Sequence, residues 1–330
     1  MNEPLRIVAI GGGTGLSTLL QGLKPYAQNP KEIDITAIVT VTDDGGSSGR
    51  LRREFDVLPP GDIRNCIVAL SEDGALLSKL FQYRFEDGRG LRGHSFGNLF
   101  LTALTSVTGD FARAVKLSSE ILVSCGHIYP STARNVTLEA ELANGAVLFG
   151  ETRISKSTSR IIEVRLRPHS VDPLPEALQA IAEADLISLG PGSLYTSIVP
   201  NLLVAGVPEA IAKSPAIKAY FVNLMWQPGE TIGLTASDHL AALNRHAAKE
   251  LVDVVIVNDQ PLPDTLLPKY AEQRSKPVWN DFSELNNMGV KVLATNLLCD
   301  SGMIRHDPKA SAAVVVELAH LGRQRREKIA

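Results

Sequence analysis

Cysteine is scarce. The 330-residue chain has three, Cys66, Cys125 and Cys299, and no two stand at the Cys-x-x-Cys spacing of a zinc or redox site. This usage points to a reduced, cytoplasmic protein. A charge imbalance is also lacking: 33 basic against 36 acidic residues leave a formal net charge of -3. No global field therefore recruits nucleic acid or an anionic membrane, and any anion site must be local. Long apolar runs are missing too. The start offers only residues 7–10 before a glycine series, too short for a signal-peptide core, and nothing approaches the ~20 residues of a membrane span. We expect no membrane span and no nucleic-acid partner. There is no internal repeat and no low-complexity segment.

What is present reads as an ordinary globular chain, 44% hydrophobic and 21% charged. Short β-branched runs at 6–10, 35–41, 185–189, 218–222, 252–257 and 290–294 alternate with amphipathic segments. That is the pattern of an α/β fold, Rossmann-like, with a mainly parallel sheet and helices on both faces. Residues 76–125 read as mostly helical, with apolar spacing at 96–107 and 111–122. A different texture occupies 136–167. Residues 138–142 alternate, Asn144-Gly145 is a strong hairpin turn, and 147–154 and 161–166 continue as strands. We expect a single domain over 1–330 carrying this stretch as a small antiparallel extension. The last helix, 310–321, should stop at Gly322 and leave a solvated basic tail.

Five constellations can carry chemistry. Ile10-Gly11-Gly12-Gly13-Thr14-Gly15 joins the first strand to the first helix, where glycines allow close backbone approach and helix-start amides favour an anion. Gly12, Gly13, Thr14 and Gly15 are thus candidate phosphate-binding residues, a tight turn without a ligand being the plainer alternative. Leu16 stands where a dinucleotide fingerprint counted from Gly11 wants its last glycine, and the Gly-Lys-Ser/Thr of a P-loop is absent. Thr42-Asp43-Asp44-Gly45-Gly46-Ser47-Ser48-Gly49-Arg50 closes the second strand. Its aspartates can hold Mg2+, bond a sugar hydroxyl or cap the next helix. Residues 45–49 also satisfy the Gly-x-Ser-x-Gly of a nucleophile elbow, but two carboxylates before that serine oppose an oxyanion.

The third constellation joins Asp62-Ile63-Arg64-Asn65 to Gly93-His94-Ser95-Phe96-Gly97-Asn98. Arg64 can clamp a phosphate or serve a surface ion pair, and His94, Ser95 and Asn98 lie within one turn of a helix start. Ser95 is as readily a cap. The fourth, Leu189-Gly190-Pro191-Gly192-Ser193-Leu194-Tyr195-Thr196-Ser197, repeats the physics of the first and offers Gly190, Gly192, Ser193, Thr196 and Ser197 to phosphates. Two such loops at strand ends imply one crevice with a polyphosphate between them. The fifth leaves Asn223 at another strand's end, as a ligand contact or a turn residue.

The first four motifs together resemble the YvcK-like family, the bacterial gluconeogenesis factors, and the likeness runs from about residue 6 to the carboxyl-terminal helix. The resemblance implies a cytosolic, CofD-like, UDP-sugar-binding regulatory factor required for cell shape and cell-wall synthesis during gluconeogenic growth. Its ligand would be UDP-N-acetylglucosamine or UDP-glucose, its partner a protein of cell-wall synthesis, and its state a homo-oligomer. Members are not established enzymes, and no residue is assigned a catalytic role. The wider superfamily includes the CofD-type 2-phospho-L-lactate transferases, which use a guanylyl donor, a deazaflavin acceptor and Mg2+. That likeness implies the alternative, a Mg2+-dependent phosphotransferase with a nucleoside-diphosphate donor. By the resemblance Gly12, Gly13 and Thr14 match the first nucleotide loop and residues 190–197 the diphosphate loop. Asp43 and Asp44 match the acidic site near metal and acceptor. The transferases carry His-x-x-Ser-Asp-Gly-Asn where His94-Ser95-Phe96-Gly97-Asn98 stands here. The expected site thus adds Asp43, Asp44, Arg64, His94, Asn98 and Asn223 for the sugar or acceptor, with Asp43 and Asp44 toward a metal.

Overall fold

The computed structural model describes residues 3–28, 32–72, 76–300 and 302–329. In chain order its strands are β1 (Leu5–Gly11), β2 (Ile33–Val39), β3 (His127–Pro130), β4 (Thr137–Leu142), β5 (Val147–Phe149), β6 (Ile161–Arg167), β7 (Leu186–Leu189), β8 (Ile217–Phe221), β9 (Val254–Asn258) and β10 (Lys291–Thr295). Seven of them form one sheet in the order β10-β9-β8-β7-β1-β2-β3, and every pairing in it is parallel. The strands β1 and β2 are buried at nearly every position, so both sheet faces must be covered by helices. The helix Gly13–Ala27 supplies one such cover. Its Leu16, Leu19, Leu20 and Leu23, at helical spacing, are wholly buried. It packs beside the helices Gly61–Leu70 and Pro308–Ile329.

The chain leaves β1 toward β2 and β3 on one side, then returns to lay β7 on the other side and continues outward to β10. Strand order therefore reverses between β1 and β7. Diverging connections at such a reversal open a crevice above the strands' carboxyl ends, where open α/β sheets bind ligands.

Residues 136–167 form their own three-stranded antiparallel sheet, β5-β4-β6. Within it Arg165 and Arg167 bracket the buried carboxylate of Glu139, so these arginines brace the insertion. Two local expectations are corrected. The run expected as a strand over 147–154 breaks after Phe149, and Glu151–Ile154 is a helical turn. Asp44 holds that turn by accepting from the Thr152 amide and hydroxyl at 2.8 and 2.6 Å. The last helix does not stop at Gly322 but runs Pro308–Ile329. At Gly322 a β-carbon would collide with the Asp185 carbonyl, so glycine serves close approach there. The expected solvated tail instead sends Arg323 and Arg326 to the carboxylate of Asp185, which is 0% exposed. Among the described residues no single helix is long and apolar enough to cross a membrane.

Candidate functional site

The crevice is built where two glycine turns touch. Gly12 ends the extended run after β1 and Gly13, at φ +61°, opens the first helix. A β-carbon on Gly15 would stand 2.7 Å from the Pro191 carbonyl carbon and 2.8 Å from the Gly192 Cα. Only glycine therefore lets the first turn of that helix lie against the loop after β7. Asn201, wholly buried, ties the same two loops by donating to the carbonyls of Ser197 (2.8 Å) and Gly11 (3.3 Å).

The resulting cleft has a volume of about 400 Å³, within the usual range for small-molecule sites. Gly12, Gly13, Thr14 and Gly15 form one wall, and Gly192, Ser193 and Ser197 the other. Asn223, Gln227, Trp226 and Tyr270 close the outer side with Arg305 and His306. The amides of Thr14 and Gly15 belong to the first helical turn, which has no intrahelical acceptors, so they suit an anion. Gln227 braces the rim. It accepts from the Asn223 amide and donates to the Ser193 hydroxyl, both at 2.8 Å.

Thr196 is placed differently. Glu230 accepts from the Thr196 hydroxyl at 3.1 Å and from the Tyr195 amide at 3.3 Å. The start of the helical segment Leu194–Ile198 is thus capped from within the protein, and Thr196 faces Glu230 rather than the cleft. Burial pushes the Glu230 carboxyl up to about 7.

The residues after β2 form a second, acidic wall. Asp62 receives the Gly13 amide, and burial followed by the nearby Asp43 raises its carboxyl to about 6. Asp43 turns one oxygen to its own loop, accepting from the Gly45 amide at 2.8 Å. Glu151 is pushed well up by burial and then by Asp62, Asp43, Glu230 and Asp44. Ser47 and His94 share a hydrogen bond of 2.9 Å, and burial followed by Arg50 lowers the His94 imidazole. Asn98 donates to Ser48 at 3.5 Å, while its buried Oδ1 has no partner. Arg64 donates to Ser95 and to Asn65, so it holds the start of the helix Phe96–Thr108, which Ser95 caps through the Asn98 amide at 3.2 Å.

Of the residues expected at the site, the first glycine turn, Gly192, Ser193, Ser197 and Asn223 line one cleft, while Gly190, at φ +81°, shapes the turn behind it against Ile198. Asp43, Asp44, Arg64, His94 and Asn98 stand off it, on the wall reached through Asp62. Asp44 is committed to its helical turn, so the carboxylates best disposed toward a cation beside the glycine turn are Asp43 and Asp62. Among the described residues no three His, Cys, Asp or Glu side chains converge as a cation cage. Two carboxylates fit Mg2+ if phosphate oxygens complete its shell, the usual arrangement for that hard ion. Sequence reading gave no role to Glu230, Asn201 or Glu151. The only local signal was Gln227-Pro228-Gly229-Glu230, a turn sequence after a strand.

A doubly wound parallel sheet with glycine turns at its reversal defines a Rossmann-like α/β protein. The family model for 2-phospho-L-lactate transferase CofD matches residues 7–298. The gluconeogenesis factor of Bacillus subtilis (strain 168) is 48% identical over 319 residues, covering 96% of this chain and 99% of that protein. That of Halalkalibacterium halodurans is 47% identical over 312 residues, covering 94% and 95%. An X-ray crystal structure of a Bacillus halodurans protein superposes with a TM-score of 0.92 at 47% identity, covering 95% of this chain and 100% of that one. The chain belongs to the CofD family and, within it, to the group of the gluconeogenesis factors.

Proposed function

We propose that the protein is a UDP-sugar-binding regulatory factor required for cell morphogenesis and cell-wall synthesis during gluconeogenic growth. The observation that carries this reading is the convergence of the turns at 12–15 and 191–193 on one cleft where strand order reverses. A diphosphate lies there against the Thr14 and Gly15 amides and the hydroxyls of Ser193 and Ser197. Its sugar extends toward Asp43 and Asp62, whose carboxylates accept from hydroxyls. The regulatory role draws on the relatives named gluconeogenesis factor. A cytoplasmic setting, a homo-oligomer and a protein partner in wall synthesis belong to the same reading. Calorimetry with UDP-N-acetylglucosamine, UDP-glucose, GDP and NAD tests it: the UDP-sugars should bind most tightly. No UDP-sugar binding alongside tight binding of another nucleotide would overturn it.

Asp43 and Asp62 beside the glycine turn favour a second reading, a Mg2+-dependent phosphotransferase using a nucleoside-diphosphate donor. Bound there, Mg2+ would offset phosphate charge. Incubation with UDP-sugars, GDP-linked donors and Mg2+, followed by mass spectrometry, separates the two. A phosphoryl-transfer product establishes the enzyme, and its absence leaves the binding factor.

A further inference from the structure

A second cavity, of about 630 Å³, opens beyond the cleft at the carboxyl ends of β8 and β9. Asn223 and Leu224 line both, so the two spaces share one wall. Their chemistry differs. The second cavity is lined without a single lysine or arginine and carries Asp259 and Asp264, so it repels a phosphate. Its aromatic residues are Trp279 and Phe282, 71% and 44% exposed, large rings left open to water. Beside them the backbone is held firmly. The Asn258 side chain accepts from the Leu297 amide at 3.1 Å, and Asn280 donates to the Asn258 carbonyl at 2.8 Å.

Resting on the UDP-sugar reading, we propose that this second cavity is the nucleoside subsite. The diphosphate occupies the cleft at the glycine turns, the ligand passes over Asn223, and the uracil ring stacks on Trp279. An uncharged, planar heterocycle with N–H and hydroxyl donors is what an aromatic platform beside a carboxylate accepts. Asp259, at the end of β9, takes those donors, as acidic residues at strand ends do for ribose hydroxyls.

The test is calorimetry on the full chain, wild type against Trp279→Ala and Trp279→Phe, with four titrants: UDP, UMP, inorganic pyrophosphate and N-acetylglucosamine 1-phosphate. Trp279→Ala should weaken UDP and UMP alike, roughly 5- to 150-fold, the range for one lost base–aromatic stack. Pyrophosphate and the sugar phosphate should bind as to wild type, and Trp279→Phe should restore most of the UDP affinity. Unchanged UDP binding by Trp279→Ala overturns the subsite while leaving the UDP-sugar reading intact. So does a loss confined to the sugar phosphate, which would put the sugar in the cavity, or an equal loss of pyrophosphate, which would mark a structural role. A wild-type protein that binds no uridine compound defeats both, and that failure is visible before any variant is made.

Discussion

Replacing Glu230 by glutamine should make the protein less sensitive to rising pH. Glu230 is 7% exposed and spends its carboxylate on the Tyr195 amide and Thr196 hydroxyl. Those bonds favour the ion, but burial outweighs them and the carboxyl moves from 4.5 to about 7. The native state then holds this proton more tightly than the unfolded chain. The group's contribution is most favourable below the unfolded value and declines as pH rises through the folded one. The full change amounts to about 3 kcal/mol, of which about 2.5 kcal/mol falls between pH 5 and pH 8. Glu230→Gln keeps the shape and one acceptor but carries no charge. At a typical unfolding entropy per residue for a chain of this length, the melting temperature of the variant relative to wild type should rise by about 4 °C between those pH values. Thermal unfolding followed by circular dichroism at both pH values measures this. A difference between variant and wild type that is the same at both would refute a buried, proton-binding Glu230.

Gly15→Ala should abolish UDP-sugar binding at a stability cost of about 1–3 kcal/mol, since its β-carbon would force the glycine turns apart; calorimetry and urea unfolding read the two effects separately. Arg323→Ala strips the buried Asp185 of two hydrogen bonds, at 2.7 and 2.9 Å, leaving Arg326 as its ion partner. The expected loss is up to about 3 kcal/mol, and truncation after Gly322 should cost more than the point variant in the same urea titration. Asn201→Ala leaves the Gly11 and Ser197 carbonyls without their shared donor and should cost about 1–3 kcal/mol while loosening the cleft, seen as faster amide exchange in residues 190–198.

The parallel sheet was legible because β1, β2, β8 and β9 are buried at nearly every position and read as predominantly apolar runs. The four-residue β3 escaped notice, its brevity and terminal Pro130 hiding an edge strand. Glycine signals were reliable at residues 12–15, where the series sits at a strand-to-helix turn, and misleading at Gly322, where a helix uses glycine to reach Asp185. The site divides the same way. Turns announce themselves within a few residues, whereas Glu230 acts on a segment 34 residues away and Asn201 on a carbonyl 190 residues away. Nothing nearby in the chain marks such partners. Asp44 carried both a capping and a ligand reading, and only the position of Thr152 shows what it accepts from.

The reversal of strand order also governs how the crevice comes into being. Its lips follow β1 and β7, which pair from Ile7 with Leu186 to Ile10 with Leu189. Every residue from the first helix to β6 must be made before the second lip exists, so no amino-terminal fragment that ends before β7 can hold a diphosphate between both. Closing so long an interval is a slow step in folding, and a ligand that bridges the lips stabilises only chains that have completed it. During synthesis, a ligand of that cleft would therefore distinguish chains that have laid β7 beside β1 from every shorter one.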